Sequence, residues 1–476
     1  MNFYYIIQSC YKYVVYTLFM YLCCIALLHT ALAFDDASNS SVIAPDINSN
    51  STTQTAPLRL RVLEGKIAAV SLSISKILYS SAADSADDEI TSIGKSILNT
   101  IENDLGYSNL IRVINASFHV GEVHSFSDKP NFVDWKVIGS RALLIVEVGR
   151  ASNMNVALKV RLWDVELKKD IFALKYRTSS KNWRQLAHKV SDEVYTRLTG
   201  EGPYINSRIA IVVESGPKQA RSKRLAIMDS DGANLRYLTT ENEYVIGPKI
   251  SPDGSMIAYV SYEGMKTPHV NMLNINNGKL RRFVVKGRMS FSPSFSPDSL
   301  FLAIGLSDSK GSNIHLVNLK NGKIKQLTNS IGIDSSPYFS PDGKHIVFES
   351  DRSGVQQLYI MDVDGSNVRR ISFGKGRYGA PSWSPRGDLI AFTRWGSGKF
   401  HIGVMRIDGS HEKMLVESFL SDGATWSPNG REIMFFQESR GRNGKASLHK
   451  VDITGHFRKQ LPLPFAASDP SWGPVM

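Results

Sequence analysis

The chain has 476 residues, 42% hydrophobic and 21% charged, which is ordinary globular composition with length for two or three domains. Its formal charge of +12 admits nucleic acid, an anionic surface or an acidic protein as partner. The cations are scattered, however, and no long basic helix or aromatic-plus-basic strand face speaks for nucleic acid. Short clusters such as Arg221–Arg224 and Arg281–Arg282 sit beside glycine or polar residues and are expected on solvated turns, with an acidic partner surface as the alternative.

At the N-terminus, Tyr13 to Leu28 is an uncharged apolar run of 16 residues, preceded by Lys12 and followed by Ala31-Leu32-Ala33. That is the pattern of a secretory signal peptide, with cleavage expected between Ala33 and Phe34. The alternative is an uncleaved anchor, because the run approaches spanning length. All three cysteines, Cys10, Cys23 and Cys24, lie in this segment, so the mature chain is expected to have no disulfide, thiolate metal site or cysteine nucleophile. Met20-Tyr21-Leu22 before Cys23 lacks the small residues of a lipoprotein signal, and no lipid anchor is expected.

Residues 34–57 are rich in Ser, Asn, Thr and Asp, and this lead is expected to be disordered. From 58 to 200 the pattern is that of a small α/β domain. Leu58, Leu60 and Val62 alternate with Arg59 and Arg61, a strand signature, and Ile67 to Ile74 is a second candidate. Ile90, Ile93, Ile97, Leu98, Ile101 and Leu105 mark one face of a helix, with Gly106 placed as a C-cap. Val137 to Val148, Val156 to Trp163 and Ile171 to Tyr176 are expected strands, the last entered through a turn at Lys168-Lys169. A second helix is expected from Asn182, with Gln185 completing a capping box and Gly200 ending it.

Beyond 205 the chain repeats. Pro248-Lys249-Ile250-Ser251-Pro252-Asp253-Gly254 returns as Pro293 to Ser299, Pro337 to Gly343, Pro381 to Gly387 and Ala424 to Gly430, and is cut short as Pro470-Ser471-Trp472-Gly473-Pro474. The steps are 45, 44, 44, 43 and 46 residues, a propeller period. The Pro-x-aromatic-Ser-Pro piece is expected to form a short innermost strand, and Asp-Gly or Asn-Gly the tight turn after it. The first unit, 209–239, lacks its inner strand, and the orphan Pro470–Pro474 piece supplies it. The expected architecture is therefore α+β in two domains: a small N-terminal α/β domain, then a six-bladed β-propeller over 205–476 closed by its own C-terminus.

Catalytic patterns are missing. There is no G-x-S-x-G elbow and no H-E-x-x-H pair. Gly94-Lys95-Ser96 imitates a P-loop, but position 89 is Glu and the lysine falls inside the first helix. Asp229 to Gly232 and Asp362 to Gly365 look like calcium loops but lack the downstream Glu and fall at one repeated hairpin, so turn chemistry is the better reading. No metal ligands and no cofactor are expected, and the dispersed histidines are taken as surface or satisfied polar residues.

The Ser-Pro-Asp-Gly units resemble the repeat of the TolB family, which also occurs in propellers of prolyl-oligopeptidase-like peptidases; no hydrolase domain follows the repeats in this sequence. Ser191-Asp192-Glu193-Val194, Leu198-Thr199-Gly200, Arg208-Ile209-Ala210 and the ending Trp472-Gly473-Pro474 are similar to that family's junction and terminus, with Gly473 where Ser is commoner. The resemblance covers 58–476. It implies a non-enzymatic, monomeric periplasmic protein of the Tol–Pal system, which supports outer-membrane integrity and constriction at division. It further implies binding of the peptidoglycan-associated lipoprotein Pal on one propeller face and of TolA, an energised inner-membrane protein, through the N-terminal segment. Here that segment is Leu58, Arg59, Leu60, Arg61, Val62, Leu63, Glu64 and Gly65, and the 34–57 lead departs from the family.

Propeller geometry gathers the loops entering each innermost strand around one channel mouth. This makes Tyr244, Val245, Met289, Ser290, Asp334, Ser335, Tyr378, Gly379, Ser421 and Asp422 the candidate partner contacts. The strand Leu58–Gly65 is a candidate for exchange between its own domain and a partner sheet. The rival readings are a secreted propeller enzyme or small-ligand binder with acidic channel residues, for which no paired carboxylates recur at consistent blade positions, and a membrane-anchored scaffold.

Overall fold

A computed structural model describes residues 62–63 and 66–476, apart from 153–154, 242, 264–266, 284, 286–287, 310 and 442–443. The signal segment with Ala33 and Phe34, the lead, and Leu58, Arg59, Leu60, Arg61, Glu64 and Gly65 lie outside the described residues. Of the expected N-terminal strand, Val62–Leu63 pairs antiparallel with Lys66–Ile67.

The N-terminal domain is one twisted sheet. Its order is Ile111–Val113, Val70–Ile74, Ala142–Ser152, Asn155–Asp164 and Lys169–Ser179, parallel over the first three and antiparallel over the hairpins, with Leu78–Tyr79 also paired to Ala142–Ser152. Two long helices, Asp88–Tyr107 and Trp183–Thr199, cover one face with Ile90, Ile97, Ile101, Leu105, Val190, Val194 and Leu198. Gly94 is buried where an added Cβ would stand 2.9 Å from Val148, so it serves close helix–sheet packing rather than a phosphate loop.

Three local expectations are corrected. The first helix runs through Gly106 to Tyr107 and ends at Ser108. Its last turn is held from the propeller, where Lys459 Nζ donates to the Gly106 carbonyl at 3.2 Å and lies 5.1 Å from the Tyr107 ring centre. Asn182 makes no side-chain cap bond; a 3-10 turn, Ser180–Asn182, started by the Ser179 hydroxyl, leads into the second helix instead. Val137 ends a short helix, Phe132–Val137, which buries Phe132 and Trp135 against Leu143, Ile145 and Trp163 on the sheet's other face; the strand begins only at Ala142.

The second domain is a propeller of six four-stranded blades. The inner strands are Ala466–Val475 for blade 1, then Glu243–Ile250, Met289–Phe295, Asp334–Phe339, Arg377–Trp383 and Ser421–Trp426 for blades 2 to 6. Ala466–Val475 pairs with Ser207–Ser215, so both ends of the domain build blade 1 and close the ring. The inner strands begin several residues before the motif proline. Each is broken by a bulge whose residue has positive φ: Gly247, Ser292, Ser336, Ala380, Gly423 and Asp469. The bulge skips a ladder position at the proline, which lets the strand continue past it.

The motif serine has a repeated task. Ser251, Ser296, Ser340 and Ser427 each accept the first N–H of the next strand at 2.9 Å, and Ser251, Ser296 and Ser340 each donate to the motif aspartate. A second device joins the blades. The cation seven residues after each third strand's end reaches a carbonyl in the next blade's outer turn: Arg236 to Ile275, Arg281 to Leu319, Lys325 to Asp364, Arg369 to Ile407 and Lys413 to Thr454. These cations lock blades together. Arg221 is also no turn residue: it is buried, paired with Glu214 at 2.6 Å, and donates to the Gly444 carbonyl.

Candidate functional site

The N-terminal domain occupies the channel end where the Ser-Pro turns lie. Asn429 Nδ2 donates to the Gly202 carbonyl at 2.9 Å, and Arg386, which replaces the motif aspartate in blade 5, pairs with Glu201. Asn109 donates to Asp452 at 3.2 Å in blade 6's outer turn. Inner strands start at the opposite end, so the mouth carrying the ten expected contact residues is the one that the described residues of the N-terminal domain leave uncovered.

At that mouth the residues are on strands, not loops, and most are structural. Val245 and Tyr378 are core residues, fully buried. The Ser290 hydroxyl accepts the Val270 N–H at 2.8 Å, and Ser421 and Ser418 share a 2.5 Å hydroxyl contact. Asp334 is buried, and its carboxylate accepts from Arg352 Nη2 at both oxygens and from the Ser330 hydroxyl, each at 2.9 Å, while Ser335 donates to Glu349 at 2.5 Å and the Tyr378 hydroxyl to Glu412 at 2.7 Å. Tyr244, Met289, Gly379 and Asp422 keep solvent access.

The more exposed groups sit one step out, in loops that the repeat comparison passed over. Ile331 is 99% exposed, Phe373 70% and Phe419 44%, at the junctions between blades 3 and 4, 4 and 5, and 5 and 6 in that order, and Met289, 37% exposed, opens the inner strand of blade 3 beside them. Val355, in the loop between the second and third strands of blade 4, joins them. Together they form an apolar arc around the free mouth, of the kind that marks a protein-binding surface. The available signal was an apolar residue directly after serine in the segment before an inner strand: Ser330-Ile331, Ser372-Phe373 and Ser418-Phe419.

Inside the mouth, charge is concentrated. Lys249 Nζ lies 5.9 Å from the ring centre of Tyr338, two blades away, which places both side chains in the channel. Burial lowers the lysine's pKa against the pull of Asp469 and Asp422. Burial raises the carboxyls of Asp469 and Glu349, although each accepts a bulge N–H: Gly247 to Asp469 at 3.2 Å, Ala380 to Glu349 at 3.0 Å. Carboxylates therefore do converge here. They come from different repeat positions (a bulge, the residue before one, and a second strand), so sequence alignment of the blades does not pair them.

Among the described residues, no helix is long and apolar enough to cross a membrane. Residues 58–171 match a family model described as the TolB amino-terminal domain, and residues 195–476 one described as the TolB beta propeller domain. The crystal structure of TolB from Acinetobacter baumannii is similar over 86% of this chain and 97% of that one, at 24% identity and a TM-score of 0.74, which shows a shared fold. A putative TolB from Agrobacterium tumefaciens matches over 55% of this chain and 92% of its own, at 21% identity and a TM-score of 0.42, and adds nothing to that.

Proposed function

The chain belongs to the TolB family, its propeller model alone spanning residues 195–476, and from this we propose that it is a periplasmic adaptor of the Tol–Pal system that acts by binding, not catalysis. The segment ending at Ala33 directs export and is then removed. The free propeller mouth takes the lipoprotein Pal, and the segment Leu58–Gly65 takes TolA, so that the protein links the outer-membrane lipoprotein to the energised inner membrane during constriction.

The observation that carries the reading is the apolar arc of Met289, Ile331, Phe373 and Phe419 around a mouth that the described residues of the N-terminal domain leave open. Aromatic and aliphatic anchors around a polar centre suit a folded protein partner: the apolar groups supply desolvation, and Lys249, Asp422 and Asp469 supply register.

The test is titration of residues 34–476 with the soluble domain of the cognate Pal, and separately with the TolA C-terminal domain, by calorimetry. The reading expects one Pal per chain, and TolA binding that disappears when 34–65 is deleted while Pal binding persists. Absence of Pal binding at low and moderate salt sinks it. A small-ligand propeller would instead give no protein binding and a thermal shift with a soluble channel ligand.

A further inference from the structure

Behind the propeller, three carboxylates and an imidazole meet where three separate segments touch. Asp104 comes from the first long helix, His188 from the second, and Asp229 and Asp231 from the outer turn of blade 1. Asp104 Oδ2 lies 2.8 Å from His188 Nδ1 and accepts the Ser191 hydroxyl at 2.8 Å. One ligand-competent atom from each of Asp104, His188 and Asp231 lies within 4.8 Å of the others.

Two atoms in this cluster are left over. Asp104 and His188 are 5% and 2% exposed, and Asp104 Oδ1 and His188 Nε2 have no hydrogen-bond partner among the described residues. The nearest acceptor to Nε2 is Asp229 Oδ2, at 3.9 Å. Beside Asp104 and Asp231 is a cavity of about 30 Å³, bounded also by Tyr107, Tyr204, Lys450 and Trp472, room for roughly one water or an ion.

Charge points the same way. Asp104, Asp229 and Asp231 face one permanent cation, Arg184, which pairs with Asp231 and lies 3.5 Å from Asp229. Lys450, on the cavity's far wall, is tied to Glu432 at 3.1 Å. Asp192 nearby is already satisfied by the N–H groups of Tyr204, Ile205 and Asn206, each at 2.8 Å. Two negative charges therefore remain in a buried place. A divalent ion offsets both charges and gives the orphaned atoms a partner.

We propose that this interdomain cluster binds a zinc-class divalent cation through Asp104, His188 and Asp231, with water from the adjoining cavity completing its coordination. An imidazole among carboxylates favours zinc or a similar first-row ion over calcium or magnesium. Ligand atoms about 2 Å from one zinc stand roughly 3.3 Å apart, so the three side chains close in by about an ångström. Two ligands belong to the N-terminal domain and one to the propeller, so the bound ion clamps the domains together.

The test uses untagged residues 34–476 stripped with chelator. Zinc is titrated by calorimetry with thermal unfolding in parallel, and cobalt is followed by visible absorption. The expected result is one zinc per chain, a raised Tm, and a cobalt spectrum of nitrogen and oxygen ligation. His188→Gln and Asp231→Asn each weaken zinc by about tenfold or more. Arg184→Gln, which removes the cation competing for Asp231, strengthens it; a merely structural ion pair predicts no such gain. Should His188→Gln fail to fold, Asp231→Asn, in a half-buried turn, and Arg184→Gln still decide. No zinc uptake by the wild-type chain overturns the proposal, as does uptake that these substitutions leave unchanged.

Discussion

Lys459 and Gly106 form the one link in a ring of equivalent latches that leaves the propeller. At the register where Arg236, Arg281, Lys325, Arg369 and Lys413 each reach the next blade, Lys459 of blade 6 reaches the last turn of the N-terminal domain's first helix, at 3.2 Å. The same domain shares a continuous apolar cluster with blades 1 and 6, including Leu105, Ile205, Met228, Leu448 and Trp472. The domain therefore sits over the seam where the ring is closed by the C-terminal strand. Lys459→Ala is expected to cost less than about 1 kcal/mol, as exposed charge contacts do. Its effect should be local: hydrogen exchange rises at residues 105–111 and 449–460, whereas Arg369→Ala raises exchange only between blades 4 and 5. Equal patterns for the two variants would remove the special role of the seam.

Gly409 tests the packing between blades. It has φ +86, and an added Cβ would fall inside contact distance of the Ile371 carbonyl oxygen of the preceding blade, a backbone atom with nowhere to go. Gly398 has φ +74 but open space around it. Gly398→Ala is expected to lose about 1 kcal/mol, the cost of left-handed backbone alone. Gly409→Ala adds the clash and should lose about 3 kcal/mol or more in denaturant unfolding. Similar losses at both positions would mean that the turn relaxes away from Ile371.

The acid limb of stability should carry a histidine. His449 is half-buried in blade 6, stacked on Phe435 with ring centres 5.8 Å apart and 3.0 Å from the Ser447 hydroxyl. Burial, reinforced by Arg458, lowers its pKa to about 4. In the unfolded chain it titrates near 6.5, so the unfolded state binds more protons between those values. Its contribution is then intact above about 6.5, falls as pH drops toward about 4, and is level below that. The full shift would be worth about 3 kcal/mol in an enclosed site, and with part of the ring open to water about 1 kcal/mol is expected. His449→Gln should flatten unfolding free energy over that window; an unchanged slope refutes the assignment.

Periodicity made the architecture legible because the blades repeat one local problem: in blades 2 to 6 a serine before the turn to the next strand and a turn residue of positive φ, and in all but blade 2 an aromatic between blades. The composite blade was visible for the same reason, since Ser471 and Trp472 occupy repeat positions that only a missing inner strand explains. What escaped was whatever depends on contacts between unlike segments. Gly106 resembles a helix stop in isolation, but Lys459, more than three hundred residues away, sets its surroundings. Asp104, His188 and Asp231 have no motif spacing because three elements bring them together. Likewise, alternation cannot tell whether the start of an inner strand faces the channel or the neighbouring blade, so Val245 and Tyr378 passed as surface while Ile331 and Phe373 were overlooked.

That last difference yields a prediction in which burial and binding part company. Phe373 is 70% exposed at the free mouth, with the Arg370 guanidinium 5.2 Å from its ring centre, and it bonds to nothing that holds the blade. Tyr378, five residues on, is fully buried, and its hydroxyl donates to Glu412 at 2.7 Å. An exposed aromatic at the centre of an apolar arc is the kind of residue that dominates an interface, and a charge there must be desolvated on docking. Phe373→Asp is therefore expected to weaken Pal by about tenfold or more while leaving Tm unchanged. Tyr378→Phe removes a buried hydrogen bond and should cost about 1 kcal/mol of stability with Pal affinity intact. Calorimetry with Pal and thermal unfolding on both variants decide the matter: if Tyr378→Phe loses Pal and Phe373→Asp keeps it, binding runs through the inner strands and the apolar arc is not the docking surface.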